Sequence, residues 1–101
     1  MSSRNGGALA AAAQSGQVAL ARDLASASDY ARAEKAASTR RAYASDWRAF
    51  AAWCAARDVP ALPADPAAVA AFLAAEADAG RQVRTLARRC AAIRYAHRLQ
   101  Q

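Results

Sequence analysis

The sequence has 101 residues, with 14 Lys and Arg against 8 Asp and Glu, for a formal net charge of +6. This length fits one small domain and excludes a second sizeable core. The chain is rich in Ala and has only 4 Gly and 3 Pro, so the composition favours helices and we expect an all-α fold. The preference for Arg over Lys favours phosphate-bearing partners. A soluble surface shaped by an Ala- and Arg-rich genome would explain the same composition.

Residues that could hold a metal or attack a substrate are sparse. Cys54 and Cys90 are far apart and His97 is the only histidine, so the ligands of a zinc site and the members of a Cys–His catalytic pair are lacking. We expect no cofactor, and two reduced, buried thiols in a cytoplasmic, nucleoid-associated bacterial protein. The alanine run near the N-terminus is too short and too weakly apolar for a secretion signal or a membrane span.

The first third of the chain has weak patterning. Residues 1–16 contain Ser, Asn and Gly without helical periodicity, which predicts a disordered leader before a domain at 17–101. A first helix is expected over 17–36, with a thin apolar face. Ser38 is a favourable N-cap, and a second helix is expected over 39–57.

Three apolar stripes predict the core. Helical spacing places one stripe on the second helix, another on a helix over 66–79 and a third on a last helix over 84–100. The helix over 66–79 is expected to begin after the cap Asp65 and to stop at Gly80. The loop at 59–63 carries two prolines and cannot continue a helix. The stripes are Tyr43, Trp47, Phe50 and Cys54; Val69, Phe72 and Leu73; and Leu86, Cys90, Ile93 and His97.

No nucleophile beside a base and no paired carboxylates are evident, so catalysis is not predicted. The helices at 39–57 and 84–100 each carry basic residues near their N-terminal ends, where free amides and the helix dipole favour phosphate. Two such faces side by side would clasp a DNA duplex. The alternative is that these arginines form only the solvated side of amphipathic helices. His97 and Tyr95 are expected to pack rather than to act chemically.

The residues from Thr39 to Phe50, followed by Trp53 and Cys54, resemble the opening helix of the core-binding domain of tyrosine (phage integrase) recombinases. Residues 65–73 and 84–97 are similar to the next two elements of that domain, and the helix at 17–36 resembles the extra N-terminal helix of Cre-like members. The resemblance implies a small SAM-like bundle of about four helices. In the family, this bundle and a catalytic domain form a C-shaped clamp around the recombination site.

The resemblance therefore implies double-stranded DNA as the partner, bound for site-specific integration or excision, together with other recombinase subunits on that DNA and without a small-molecule ligand. The family's last core-binding helix and its catalytic domain, with Arg, His and the tyrosine nucleophile, have no counterpart in this sequence. We thus expect an incomplete domain that is not an enzyme and has no catalytic residues. The expected DNA-binding residues are Thr39, Arg40, Arg41, Arg84, Thr85, Arg88 and Arg89.

Two other functions remain open. The chain would instead be a helical protein-interaction module if Tyr95, Trp53 and the helix at 17–36 dock on a partner, or a non-functional remnant of a mobile element. A basic peptide lying on a membrane is disfavoured by the paired prolines and by the two narrow stripes, which suit mutual packing better than lipid.

Overall fold

A computed structural model describes residues 2–100 of the chain, and the side chains of residues 7–100. This part forms three α-helices: α1 (Ser2–Ala56), α2 (Pro66–Asp78) and α3 (Val83–Arg98). Within it, the only strand-like pairing is an isolated bridge between Ala61 and Ala64. The predicted all-α fold is confirmed. Three helices are described where the sequence predicts about four, because the segments 17–36 and 39–57 belong to one helix.

The helix α1 continues through Ser38, where the sequence predicts a cap. No Gly or Pro lies between Gly16 and Pro60, so nothing in the backbone forces a break. An N-cap contributes only about 1 kcal/mol, which does not offset the helical hydrogen bonds that a break would remove. Residues 2–16 are also helical, which differs from the predicted disordered leader, since alanine is the best helix former. Met1 lies outside the described residues.

The chain divides into two compact units, Met1–Ala37 and Ser38–Gln101, while a domain boundary at residue 17 stays a prediction. In the first unit every side chain from residue 7 to residue 36 is exposed, including Leu9 at 71% and Tyr30 at 76%. Asp29 and Arg32 form an ion pair on this exposed helix. Helix formation here depends on alanine propensity rather than on burial.

The second unit holds the hydrophobic core. Phe50, Cys54, Phe72 and Ile93 are buried together, with the Phe50 and Phe72 ring centroids 5.2 Å apart and the Trp53 ring 5.7 Å from that of Phe72. The predicted stripes on α1 and α2 therefore meet.

On α3 the buried side is displaced from the predicted stripe. Ile93 is buried as expected, whereas Leu86, Cys90 and His97 are only partly buried. Ala92 and Arg89 are buried instead, at 2% and 8% exposure.

Local hydrogen bonds fix the helix ends and the loop. Beyond Ala56, the last residue of α1, the chain turns through a left-handed Asp58 (φ 54°), and the Val59 amide donates to the Cys54 carbonyl at 3.1 Å. The α2 helix begins at the predicted cap, where the Ala67 amide donates to Asp65 Oδ1 at 2.8 Å. It ends at Asp78, and the chain turns away at Gly80, whose φ of 92° suits glycine. These ends set the directions in which α2 and α3 leave the core.

The imidazole of His97 ties the proline loop to α3. The Ala64 amide donates to His97 Nε2 at 2.9 Å, and His97 Nδ1 lies 2.8 Å from the Ile93 carbonyl oxygen. Because a backbone amide can only donate, Nε2 accepts and the proton sits on Nδ1. The expectation that His97 packs is confirmed, and both of its ring nitrogens have partners. No helix within residues 2–100 is both long enough and apolar enough to cross a bilayer.

Candidate nucleic-acid interface

The α3 helix concentrates positive charge: it contains five arginines and no Asp or Glu. Helical spacing places Arg84, Ala87, Ala91, Arg94 and Arg98 on one side, at i, i+3, i+7, i+10 and i+14. We call this side the outer face of α3. Its three arginines are exposed, and only small alanines separate them. A polyanion can therefore approach the helix backbone closely along this face.

Arg88 lies at the edge of the outer face and is held by a carboxylate from α1. Its Nε donates to Asp46 Oδ2 at 2.8 Å, and its Nη2 donates to Asp46 Oδ1 at 3.1 Å. The Asp46 side chain is 1% exposed, whereas that of Arg88 is 47% exposed. The side-chain hydrogen bond to Asp46, and then the attraction between the two charges, raise the pKa of Arg88 above its ordinary value. Arg88 thus stays cationic at any usable pH.

Arg89 points inward instead. Its Nη1 lies 3.6 Å from Asp46 Oδ1, and its Nε lies 3.0 Å from Glu76 Oε2. That Nε makes no hydrogen bond, so Arg89 and Glu76 attract each other as charges without good donor geometry. Arg81 Nε donates to the same Glu76 oxygen at 3.1 Å. Because its side chain is only 9% exposed, Arg89 links the helices and is poorly placed for the phosphate contact that the sequence predicts.

The predicted contacts Thr39, Arg40 and Arg41 do not lie at a helix start. They are inside α1, where backbone amides serve the helix and cannot be offered to phosphate. Their side chains are exposed. Thr39 lies two turns before Asp46 and shares its side of α1, whereas Arg41 lies about 140° away around the helix axis. These three residues therefore do not form one face.

The predicted basic residues of α1 (39–41) and those at the start of α3 (84–89) also do not lie side by side. The C-terminal part of α3 neighbours the 40–47 stretch of α1: the Tyr95 ring lies 5.7 Å from that of Tyr43, and Leu99 lines a groove with Arg40. Arg84, fifteen residues before Leu99, is about 22 Å further along α3. The structure does not bring these two basic ends together, because α3 contacts α1 through the Arg88 and Tyr95 side, which the sequence assigns to solvent. Clasping of a duplex stays a prediction. Tyr95 contacts Tyr43 as expected of a packing residue, but 40% of it stays exposed.

The start of α3 does offer free donors. The N-cap Gln82 makes no side-chain capping bond, and the first helical hydrogen bond runs from the Leu86 amide to the Gln82 carbonyl at 3.1 Å. The amides of Val83, Arg84 and Thr85 precede that bond, as at every helix start. Arg84 and Thr85 therefore lie where the helix dipole favours an anion.

Sequence reasoning missed Asp46 as a partner, and it left Arg94 and Arg98 out of the predicted site. A signal for Asp46 was present: it falls three residues after Tyr43 and four before Phe50, on the buried side of α1. A carboxylate at core spacing predicts a buried ion pair. Its partner could not be named, because Arg88 lies 42 residues further along the chain.

The sequence was compared with known protein families, curated proteins and solved structures. Residues 28–99 match the family described as phage integrase, N-terminal SAM-like domain. No curated protein and no solved structure matches the chain. The matched region includes α2, α3 and the part of α1 that carries the core stripe. Because the match covers well over half of its length, the chain belongs to the phage integrase N-terminal SAM-like domain family.

Proposed function

We propose that this chain binds double-stranded DNA through the outer face of α3, as the DNA-binding, non-catalytic part of a tyrosine recombinase. One observation carries the proposal: α3 has five arginines and no carboxylate, and three of these arginines are exposed on one side. Membership of the integrase family supports a role in recombination. The covalent chemistry of integration or excision is assigned to a catalytic domain, not to this chain.

The proposed contacts revise the predicted set. Arg84 and Thr85 bind a phosphate at the start of α3, where free amides and the dipole add to the guanidinium charge. Arg88 contributes from the edge of the outer face, and Arg94 and Arg98 extend the basic surface along the helix. Contacts of this kind fix position on the duplex and carry no sequence information.

The remaining predicted residues take lesser roles. Arg40, Arg41 and Thr39 are retained as secondary contacts from α1, because their side chains are exposed. Arg89 is left out, since its side chain is 9% exposed and lies against Glu76.

A second function, protein interaction, is favoured by an apolar groove in the same unit. Tyr43, Trp47, Leu62, Tyr95 and Leu99 are among its lining residues. Leu99 is 66% exposed and Tyr95 is 40% exposed, and exposed apolar patches often mark sites of protein contact. Capture of another recombinase subunit in the absence of DNA, lost on the substitution Leu99→Glu, would support this function.

The test of DNA binding is a fluorescence-anisotropy titration of a labelled duplex at two salt concentrations. We expect the wild-type chain to bind the duplex at low salt. The double charge reversal Arg84→Glu with Arg94→Glu should weaken that binding at least about tenfold. Each lost phosphate contact should also reduce the slope of log K against log salt by about 0.9.

The matched control is Arg22→Glu with Lys35→Glu, which changes the net charge equally in the other compact unit. If both double variants lose the same affinity for DNA, the effect comes from net charge alone, and the assignment of the contacts to α3 is contradicted. Undetectable binding of the wild-type chain at low salt would end the proposal.

A further inference from the structure

The buried carboxylate of Asp46 calls for a reason beyond stability. Its side chain is 1% exposed, on the side of α1 that also buries Phe50 and Cys54. Removing a carboxylate from water carries a large desolvation cost, and a buried ion pair is often no more stable than apolar residues of the same volume. Asp46 also lies 3.6 Å from Nη1 of the buried Arg89, a contact within the core that does not account for the two bonds to Arg88.

What Asp46 does supply is a fixed orientation for Arg88. The two oxygens of Asp46 accept from Nε and Nη2 of Arg88, so the guanidinium plane is set by two parallel bonds. The opposite edge of the guanidinium, with both Nη1 protons and the second Nη2 proton, is left unused by Asp46. The Arg88 side chain is 47% exposed, and it borders the outer face of α3.

Orientation matters because arginine is one of the side chains that lose most conformational entropy when they are fixed. A guanidinium that is already held loses less on meeting a phosphate, and preorganisation of this kind increases affinity. Arg84 lies one turn before Arg88 and offers an internal comparison. It is exposed and has no recorded carboxylate partner within the described residues.

We propose that Asp46 is a positioning residue for DNA binding, which holds Arg88 so that the outer edge of its guanidinium meets a backbone phosphate of the duplex. This inference rests on the proposed function. It assigns to Asp46 an effect opposite to that of its charge. As a bare negative charge beside the basic face, Asp46 repels DNA; as a support for Arg88, it strengthens binding.

Because the two effects are opposed, the direction in which Asp46→Asn changes the affinity for DNA shows which of them dominates. Loss of the negative charge alone would raise affinity for DNA, whereas loss of the support for Arg88 should lower it, by about fivefold if much of the side-chain entropy is restored. In the Arg88→Ala background the same substitution should no longer weaken binding. The variant Arg88→Lys keeps the charge but cannot pair through a planar fork, so its affinity should also fall below that of the wild type.

Folding of each variant is checked by circular dichroism and urea unfolding before titration. If Asp46→Asn does not fold, a measurement on the wild-type chain decides: NMR relaxation of the arginine Nε–H groups in the free protein. We expect Arg88 to be ordered, Arg84 to be mobile, and the order of Arg88 to change little when the duplex is added.

The outcomes separate the two proposals. If the wild-type chain binds no DNA at low salt, the proposed function and this inference fail together. If Arg84→Glu weakens binding but Asp46→Asn strengthens it or leaves it unchanged, DNA binding stands and the positioning role fails. Equal mobility of Arg88 and Arg84 in the free protein would also overturn the positioning role.

Discussion

The two parts of α1 have similar alanine-rich sequences but different environments. From residue 7 to residue 36 every side chain is exposed, whereas the part after Ser38 buries Phe50 and Cys54 in the core. Alanine content is therefore enough to favour a helix in both parts. What distinguishes the second part is a set of bulky apolar side chains at helical spacing, which gives the helix something to bury.

The sharpest test of this difference removes one large apolar side chain from each part. Phe50 is fully buried, at 0% exposure, whereas Leu20 is 58% exposed. We expect Phe50→Ala to lower the free energy of unfolding by about 3–5 kcal/mol, because it leaves a cavity beside Phe72. For Leu20→Ala we expect a change within about 0.5 kcal/mol.

Urea unfolding followed by tryptophan fluorescence measures both effects, since Trp47 and Trp53 belong to the second unit and pack against its core. If Phe50→Ala and Leu20→Ala lower the free energy of unfolding by similar amounts, the side chain of Leu20 must also be buried.

The same difference explains which parts of the fold could be predicted from the sequence. The stripe from Tyr43 to Cys54 was predictable because bulky apolar residues recur at helical spacing. The bounds of α2 were predictable because Asp65 and Gly80 carry local signals for its start and stop. Ser38 misled because a cap residue within an alanine-rich stretch competes with helical hydrogen bonds on both sides.

The candidate site was only partly predictable, for a different reason. Hydrophobic periodicity shows which side of a helix is apolar, but it does not show which charged residues find partners. Arg88 and Arg89 both resemble surface residues in the sequence, yet one is tied to Asp46 and the other is buried between Asp46 and Glu76. Such pairings join residues far apart in sequence and follow from the packing of α3 on α1.

Glycine substitutions provide a second, smaller test of helix propensity against tertiary structure. A Cβ added at Gly16 would meet nothing within 4 Å, so Gly16→Ala should stabilise this part of α1 by about 0.5–1 kcal/mol. Gly80 also has open space, but its φ is 92°. There an alanine would be strained, so Gly80→Ala should lower the free energy of unfolding by about 1 kcal/mol or more.

Hydrogen exchange measured by mass spectrometry distinguishes the two glycine variants. Protection should rise around residue 16 in the first variant, with little change in the urea midpoint of the second unit. The urea midpoint should fall in the second variant. A fall in protection around residue 16 on Gly16→Ala would mean that propensity does not govern this part of the helix.

The smallest expected effect concerns the two thiols and the pH. Cys54 is buried, whereas Cys90 is partly exposed. Burial raises the pKa of Cys54 above its ordinary value of 9.0, and the nearby charge of Arg57 opposes that rise. Because the folded pKa exceeds the unfolded one, the stabilisation linked to this thiol is fully present below about pH 9 and is lost as the pH rises through the folded value.

Unfolding free energies at pH 7 and pH 10 test this sign. The wild-type chain should lose more stability than Cys54→Ala over that interval, and Cys90→Ser should behave like the wild type. Other groups titrate over the same interval, so only the difference between the variants and the wild type reports on Cys54. If Cys54→Ala and the wild type fall in parallel, the thiol is ionised as readily in the folded chain as in the unfolded one, and the core around Phe50 and Phe72 admits water.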